Sequence, residues 1–272
     1  MTSDIDEAVD WQGNEVDCEA CVHRGLAAEG RCVLKRACVQ DRYARRIARF
    51  FAWNAALAND YLAHPYFEVR ALAAKFADVF HLPPLLADPD ETVRWSAVQR
   101  LPRRYLLLLR NDPHREVRIR IASLLEGAEL SPMIRDPDYC VRIQAARRVL
   151  PEMLPAMMAD EEAEVRRVVA SRIEGEGLHQ MAKDEDAEVR LAAVRRLEED
   201  ELRRFRDDPD WRVRYEAARR VPASALFDMR DDSDGIVREF VLARIAQERP
   251  ELPGGNVVAF RTRNAQQTSF RR

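Results

Sequence analysis

A Val-Arg pair returns every 24 residues along this chain, at Val69-Arg70, Val93-Arg94, Val117-Arg118, Val141-Arg142, Val165-Arg166, Val189-Arg190, Val213-Arg214 and Val237-Arg238. Eleven residues before each Val stands Leu, at positions 82, 106, 130, 154, 178, 202 and 226, with Ala58 in the first copy. Three residues further on come Tyr61, Leu85, Leu109, Met133, Met157, Met181, Phe205 and Met229. Five residues before the Val an Asp recurs, from Asp88 to Asp232, with His64 in its place in the first copy. A fixed register over eight copies dictates a repeat architecture, in which no unit covers its own apolar side and each is sealed by its neighbours.

The local pattern says what each unit is. Apolar residues recur at Val, Val+4, Val+5 and Val+8, as in Val93, Ala97, Val98 and Leu101, which is the spacing of one helix face. Pro102, Gly127, Pro151, Gly175 and Pro222 follow closely, so the predicted helix is about three turns long. It begins in a DPDETVR-type segment, where Asp supplies an acceptor for free N–H groups and suits the positive end of the helix dipole. The remaining half-repeat has room for two turns and one short helix. Its apolar pair, three residues apart, lines up on a 3₁₀ turn. The expectation is an all-α solenoid over residues 58–249, each repeat one α-helix plus one 3₁₀-helix.

Five cysteines are present, and four of them, Cys18, Cys21, Cys32 and Cys38, fall within one short stretch. The N-terminal segment is acidic and carries no apolar leader, and no stretch is apolar for long enough to cross a membrane. A cytoplasmic setting is expected, where thiols stay reduced, so the four cysteines point to metal ligation before disulfides. A close pair presents two thiolates to one centre, and a second pair beyond a loop completes the set. Zinc and iron–sulfur sites both need this, and the spacing does not choose between them. Basic residues crowd the same region: Arg24, Arg31, Lys35, Arg36, Arg42, Arg45, Arg46 and Arg49 stand against Glu19, Glu29 and Asp41. They either offset an anionic thiolate cluster or form a solvated basic face. Cys140, alone on a repeat helix, is expected to be a small buried hydrophobe outside the site. His23 is the one histidine among the four cysteines, and four thiolates leave it unneeded as a ligand.

With these motifs in place, the sequence resembles the leucine-rich repeat variant family, over roughly residues 16 to 250. The resemblance implies a right-handed superhelix of alternating α- and 3₁₀-helices, and an N-terminal domain, residues 16–57, holding a [4Fe–4S] cluster on Cys18, Cys21, Cys32 and Cys38. Zinc is the alternative. Ala58 and His64 depart from the repeat, as suits a terminal unit that packs against the cluster domain. Residues 1–15 are expected to be an acidic flexible segment and residues 250–272 an irregular basic tail.

The arginines raise the question of partners. With Val at 0°, the following Arg lies near 100°, inside the apolar arc, which predicts a packed stem and a guanidinium held by the recurring Asp or by free carbonyls. A second row at Val+7, Arg100, Arg148, Arg172, Arg196, Arg220 and Arg244, falls at the rim and is the better candidate for a ligand surface. The 44 Lys and Arg nearly balance the 47 Asp and Glu, so no global field draws nucleic acid or membrane. No phosphate loop, nucleophile motif or carboxylate–histidine metal motif is present, and an enzyme is not expected. The favoured function is a redox cluster carried on a solenoid that binds a protein partner. A structural cluster capping an interaction scaffold, or nucleic-acid binding through the basic module and rim arginines, are the alternatives.

Overall fold

In the computed structural model, residues 7–248 of the chain are described; the expected basic tail at 250–272 and the first six residues lie outside them. The chain forms two compact units, Met1–Ala192 and Ala193–Arg272. Both are helical. Among the described residues extended pairing is confined to two isolated bridges, Val9 with Glu15 and Val33 with Ala37.

The N-terminal region holds α1 (Arg24–Ala28) and α2 (Ala44–Trp53). The repeat helices follow: α3 (Phe67–Ala73), α4 (Glu91–Val98), α5 (Arg115–Leu124), α6 (Tyr139–Arg148), α7 (Ala163–Ala170), and, beyond α8 (Glu176–Met181), α9 (Ala187–Val194). The series ends with α10 (Trp211–Arg220), α11 (Ala223–Leu226) and α12 (Gly235–Glu248). Each Val-Arg pair sits on its own repeat helix. Most are seven to ten residues long, about two to three turns, slightly shorter than the sequence predicts. Asp90, Asp138 and Asp210 cap α4, α6 and α10, each accepting a backbone N–H from the residue two ahead, as the DPD segments imply.

The second helix of each repeat is 3₁₀ at Ala55–Tyr61, Pro83–Ala87, Arg103–Asn111, Gly127–Arg135, Pro151–Met157 and Glu199–Phe205. Two of these run nine residues, longer than expected, and in two repeats the element is α-helical instead, as α8 and as α11 followed by a 3₁₀ turn, Phe227–Met229. Gly175 enters α8 at φ +60°, and a Cβ on Gly177 would collide with the Ile173 side chain. The two glycines thus let this one segment wind tightly against the preceding turn. Elsewhere Pro102 and Pro222 leave the repeat helix in extended conformation, at ψ 148° and 154°.

The periodic apolar positions form the core. Val93, Ala97 and Val98 are sealed from solvent, as are Leu82, Leu130 and Leu154. Burying one such Leu or Met contributes about 1.5–3 kcal/mol, and only the adjoining repeat can cover it.

In six copies the arginine after Val joins consecutive repeats. Arg94 Nε and Nη2 donate to the two Asp112 oxygens at 2.7 and 2.6 Å, and its Nη1 donates to the Asp88 and Pro89 carbonyls. The same fork links Arg70 to Asp88, Arg118 to Asp136, Arg142 to Asp160 and Arg166 to Asp184 in the first unit, and Arg214 to Asp232 in the second. Each of these Asp residues from Asp88 to Asp184 thus receives the guanidinium of the repeat before it, while its own carbonyl receives that of its own repeat. The carboxylate also accepts the N–H two residues ahead, as Asp88 does from Asp90.

The rim row corrects the sequence expectation. Arg100 donates to the Ala74 and Ala77 carbonyls. Arg172 donates to those of Ala146 and Val149, Arg220 to Val194 and Leu197, and Arg244 to Ala218 and Val221. Arg148 pairs with Glu126. Arg100, Arg172, Arg220 and Arg244 close the carbonyl-rich end of the preceding repeat helix, whose last C=O groups lack partners of their own. They are fasteners between repeats and not a free cationic surface.

Candidate metal centre

Turn chemistry shapes the cysteine module. Asp10 accepts the N–H groups of Gln12 and Asn14, and Asp17 accepts those of Glu19 and Ala20 at 2.8 and 3.2 Å. The second turn folds the chain between Cys18 and Cys21, bringing the close pair to one side. After α1, Gly30 at φ +73° reverses the chain, and the Arg31 and Cys32 N–H groups both donate to the Leu26 carbonyl. Between Cys32 and Cys38 the Val33–Ala37 bridge closes a tight loop with Lys35 at φ +61°. The chain therefore bends between these two cysteines, as their six-residue offset requires, and enters α2 only at Ala44.

The module is fused to the solenoid. Cys32, Val39, Ile47, Phe50 and Phe51 share one apolar core with Ala58, Val69, Leu72 and onward to Leu101. Phe50 and Phe51 meet the Tyr61 ring edge-on. Ala58 is fully buried among them, so a small residue stands where the large rings fill the space that Leu occupies in other repeats. Tyr61 carries a hydroxyl where other repeats carry Leu, Met or Phe, and it shares a hydrogen bond with His23 Nε2. His23 is thereby engaged by the first repeat and packs on Phe50 at 5.1 Å. Buried Asn54 donates to the Arg31 and Phe50 carbonyls, tying the end of α2 to the chain just before Cys32.

His64 replaces the recurring Asp in part. Its Nδ1 accepts the Tyr66 N–H and its carbonyl accepts Arg70 Nη1. It has no carboxylate for a guanidinium. The arginine that register assigns to it, Arg46, lies 24 residues before Arg70 and turns instead to fully buried Asp41 at 2.8 Å. Helix α2 therefore stands at the position of an additional repeat helix. The Arg46 spacing was the signal for this in the sequence.

All four predicted cysteines lie in this one module as free thiols, and Cys140 lies apart from it. Cys140 is partly buried near the start of α6, less sealed than the expectation of a buried side chain. Cys32 and Cys38 are buried, Cys18 and Cys21 partly so. Burial pushes the Cys38 thiol up to about 12, while N–H groups of Gln40 and Asp41 pointing at its sulfur act in the opposite sense. Burial also raises Cys32, reinforced by Cys21 and Cys18, with a hydrogen bond to Cys38 opposing it. Cys18 is raised by burial and by its neighbour Cys21. The His23 N–H lies 3.4 Å from Cys21 Sγ. Neighbouring thiols, three of which resist ionisation, with backbone N–H groups aimed at two of the sulfurs, suit a cationic inorganic core that stabilises thiolates and expels their protons.

Among the described residues no three or more His, Cys, Asp or Glu side chains are drawn together as a ready-made site for a metal ion.

Known proteins resemble the chain at both ends of its architecture. A family model described as "LRV protein FeS4 cluster" matches residues 8–60. An uncharacterized 27.7 kDa protein in the nifB 3' region of Rhodobacter capsulatus is 52% identical over 96 residues, which cover 35% of this chain and 39% of that protein; the match thus spans well under half of either. A solved structure described as a leucine-rich repeat variant with a novel repetitive structural motif is 40% identical, covers 84% of this chain and 98% of its own, and superposes with a TM-score of 0.80.

Proposed function

Because the chain belongs to the leucine-rich repeat variant proteins and carries their N-terminal iron–sulfur domain, we propose that Cys18, Cys21, Cys32 and Cys38 hold a [4Fe–4S] cluster that transfers or senses electrons while the solenoid engages a protein partner. When bound, such a cluster supplies a one-electron couple whose potential is set by hydrogen bonds to its sulfurs and by nearby charge. The residues present fit it. One observation carries the reading: four clustered free thiols, with N–H donors directed at Cys38 and Cys21, in a module rich in cations. The protein's part is to bind and orient, and no enzymatic step is assigned to it. A cytoplasmic setting accords with the free thiols, and no helix among the described residues is long and apolar enough to cross a membrane.

Anaerobic purification followed by iron, sulfide and EPR analysis tests the proposal. Brown protein with iron and sulfide in equal amounts and a reversible one-electron signal is expected; colourless protein with one bound zinc overturns it. A purely structural cluster is the second reading, favoured by the continuous core that runs from Cys32 into the first repeats. Under that reading the cluster is not reducible, and its removal melts the N-terminal repeats. The nucleic-acid reading loses the support of the rim arginines, whose guanidinium groups are occupied by carbonyls and carboxylates.

A further inference from the structure

The loop between Cys32 and Cys38 and the adjoining side of α2 present a surface unlike the rest of the molecule. Residues 31–53 contain seven cations and one acid, in a chain whose overall balance is slightly acidic. That acid, Asp41, is fully buried and bound to Arg46. Lys35, Arg36 and Arg49 therefore face solvent without a carboxylate partner among the described residues, and Arg49 Nη1 donates to the Arg36 carbonyl, which holds helix and loop together. Arg36 lies over the Trp53 ring at 5.7 Å. Val33, Leu34 and Trp53 expose 37%, 40% and 36% of their surfaces in the same place. Apolar side chains, a Trp and an Arg ringed by cations make the composition of a protein–protein hot spot with a charged rim.

We propose that this face docks an acidic one-electron carrier protein, which passes its electron to the cluster through the loop that joins Cys32 to Cys38. The proposal rests on the redox reading of the cluster given above. In the step the reduced carrier loses one electron and the cluster gains it; no bond forms or breaks and no proton is required. Several observations select an acidic protein. Lys35, Arg36 and Arg49 would pair with its carboxylates, while Val33, Leu34 and Trp53 would bury against its surface. Six residues, Val33, Leu34, Lys35, Arg36, Arg49 and Trp53, make this face, against about 20–30 a side in a standard interface, which suits a transient redox encounter. A nucleic-acid duplex carries a charge about every 1.7 Å along its axis and calls for an extended cationic track. Here the long arginine rows are committed within the solenoid, and exposed Val33 and Leu34 give no hold on phosphate.

Stopped-flow reduction of the full-length holo-protein tests this with two reductants, a reduced acidic [2Fe–2S] ferredoxin as the protein probe and a photoreduced uncharged deazaflavin. Reduction by ferredoxin is expected to slow steeply with salt and to fall about tenfold or more in Lys35→Glu/Arg36→Glu, by loss of electrostatic steering. The double variant Lys35→Gln/Arg36→Gln is expected to fall between, and all three proteins to be reduced equally by deazaflavin. Iron content confirms that the variants keep the cluster; if the loop variants lose it, Arg49→Glu, outside the loop, is expected to slow ferredoxin alone. Ferredoxin rates indifferent to salt and to these substitutions overturn the docking proposal. A cluster that deazaflavin cannot reduce reversibly overturns the redox reading and the docking with it. A short DNA duplex that competes with ferredoxin and loses affinity in the same variants identifies the face as a nucleic-acid surface and overturns the proposal in a third way.

Discussion

Arg94 and Asp112, eighteen residues apart in sequence, meet through two parallel hydrogen bonds of 2.7 and 2.6 Å with side chains only 8% and 1% exposed. Arg94 also holds two carbonyls of its own repeat, so one guanidinium spans the step from one unit to the next. Removing one partner leaves the other charge buried and unpaired. Asp112→Ala is expected to destabilise the protein by about 3 kcal/mol or more, and Arg94→Lys to fail as a replacement because an ammonium cannot form the planar fork. Urea unfolding of the intact protein reads both effects.

Two of the equivalent pairs, Arg70–Asp88 and Arg214–Asp232, make the fold sensitive to acid. Burial pushes the Asp88 and Asp232 carboxyls up, but hydrogen bonds from Arg70 and Arg214, and from the Asp90 and Asp234 N–H groups, outweigh it and hold both below the usual carboxylate range. A folded pKa below the unfolded value of about 3.9 means the unfolded chain binds more protons between the two. Their stabilisation is complete above that unfolded value and is lost as pH falls through the folded one. Arg70→Gln and Arg214→Gln should each move the acid-unfolding midpoint to higher pH in a circular-dichroism titration.

Arg172 closes the end of α6 through the Ala146 and Val149 carbonyls at 2.7 and 2.9 Å. Arg172→Met keeps the stem and leaves those carbonyls to water, at an expected cost of about 1–2 kcal/mol. Unchanged stability together with weakened binding of a polyanion would return this row to the role of a ligand surface.

Ligand assignment separates the cysteines. Cys38→Ser is expected to lower the iron content sharply, since Cys38 is buried within the module and its sulfur faces the Gln40 and Asp41 N–H groups. Cys140→Ser, on α6, should leave iron content and visible spectrum unchanged. Equal losses in both variants would contradict the four-thiolate assignment.

Lys35 holds the left-handed conformation that non-glycine residues adopt at a cost. Lys35→Gly relieves it, and the loop between Cys32 and Cys38 should gain about 0.5–1 kcal/mol. Thermal unfolding of the N-terminal module, followed by loss of cluster absorbance, should shift upward. A downward shift would show that chain entropy outweighs the strain.

The repeat, its helix faces and the grouping of four cysteines were legible because each is a matter of spacing. Val, Leu and Asp return at fixed intervals, and a face that recurs eight times can only be a contact between units. The angle of Arg94 on its helix was enough to place it inside the packed arc. The rim row misled for a physical reason: angle on one helix says nothing of the carbonyls that the previous helix ends beside it, so Arg172 and Arg220 read as free. Tyr61 stands in the repeat series and His23 among the cysteines, but their hydrogen bond joins residues 38 positions apart, a distance over which sequence has no register.

By itself, then, the sequence determined the repeat, its pairing of one α-helix with a second short helix, and the grouping of four cysteines in one module, since these follow from spacing and local geometry. Tertiary structure alone decided how those parts are joined. It placed α2 where an additional repeat helix would stand, turned Arg46 to Asp41 in the absence of a carboxylate at His64, and spent the rim arginines on helix ends. It also gathered Lys35, Arg36, Arg49 and Trp53 onto one face beside the cysteines. Such outcomes depend on which groups remain unpaired once the chain has packed, and packing is a property of the assembled neighbours and not of any one segment.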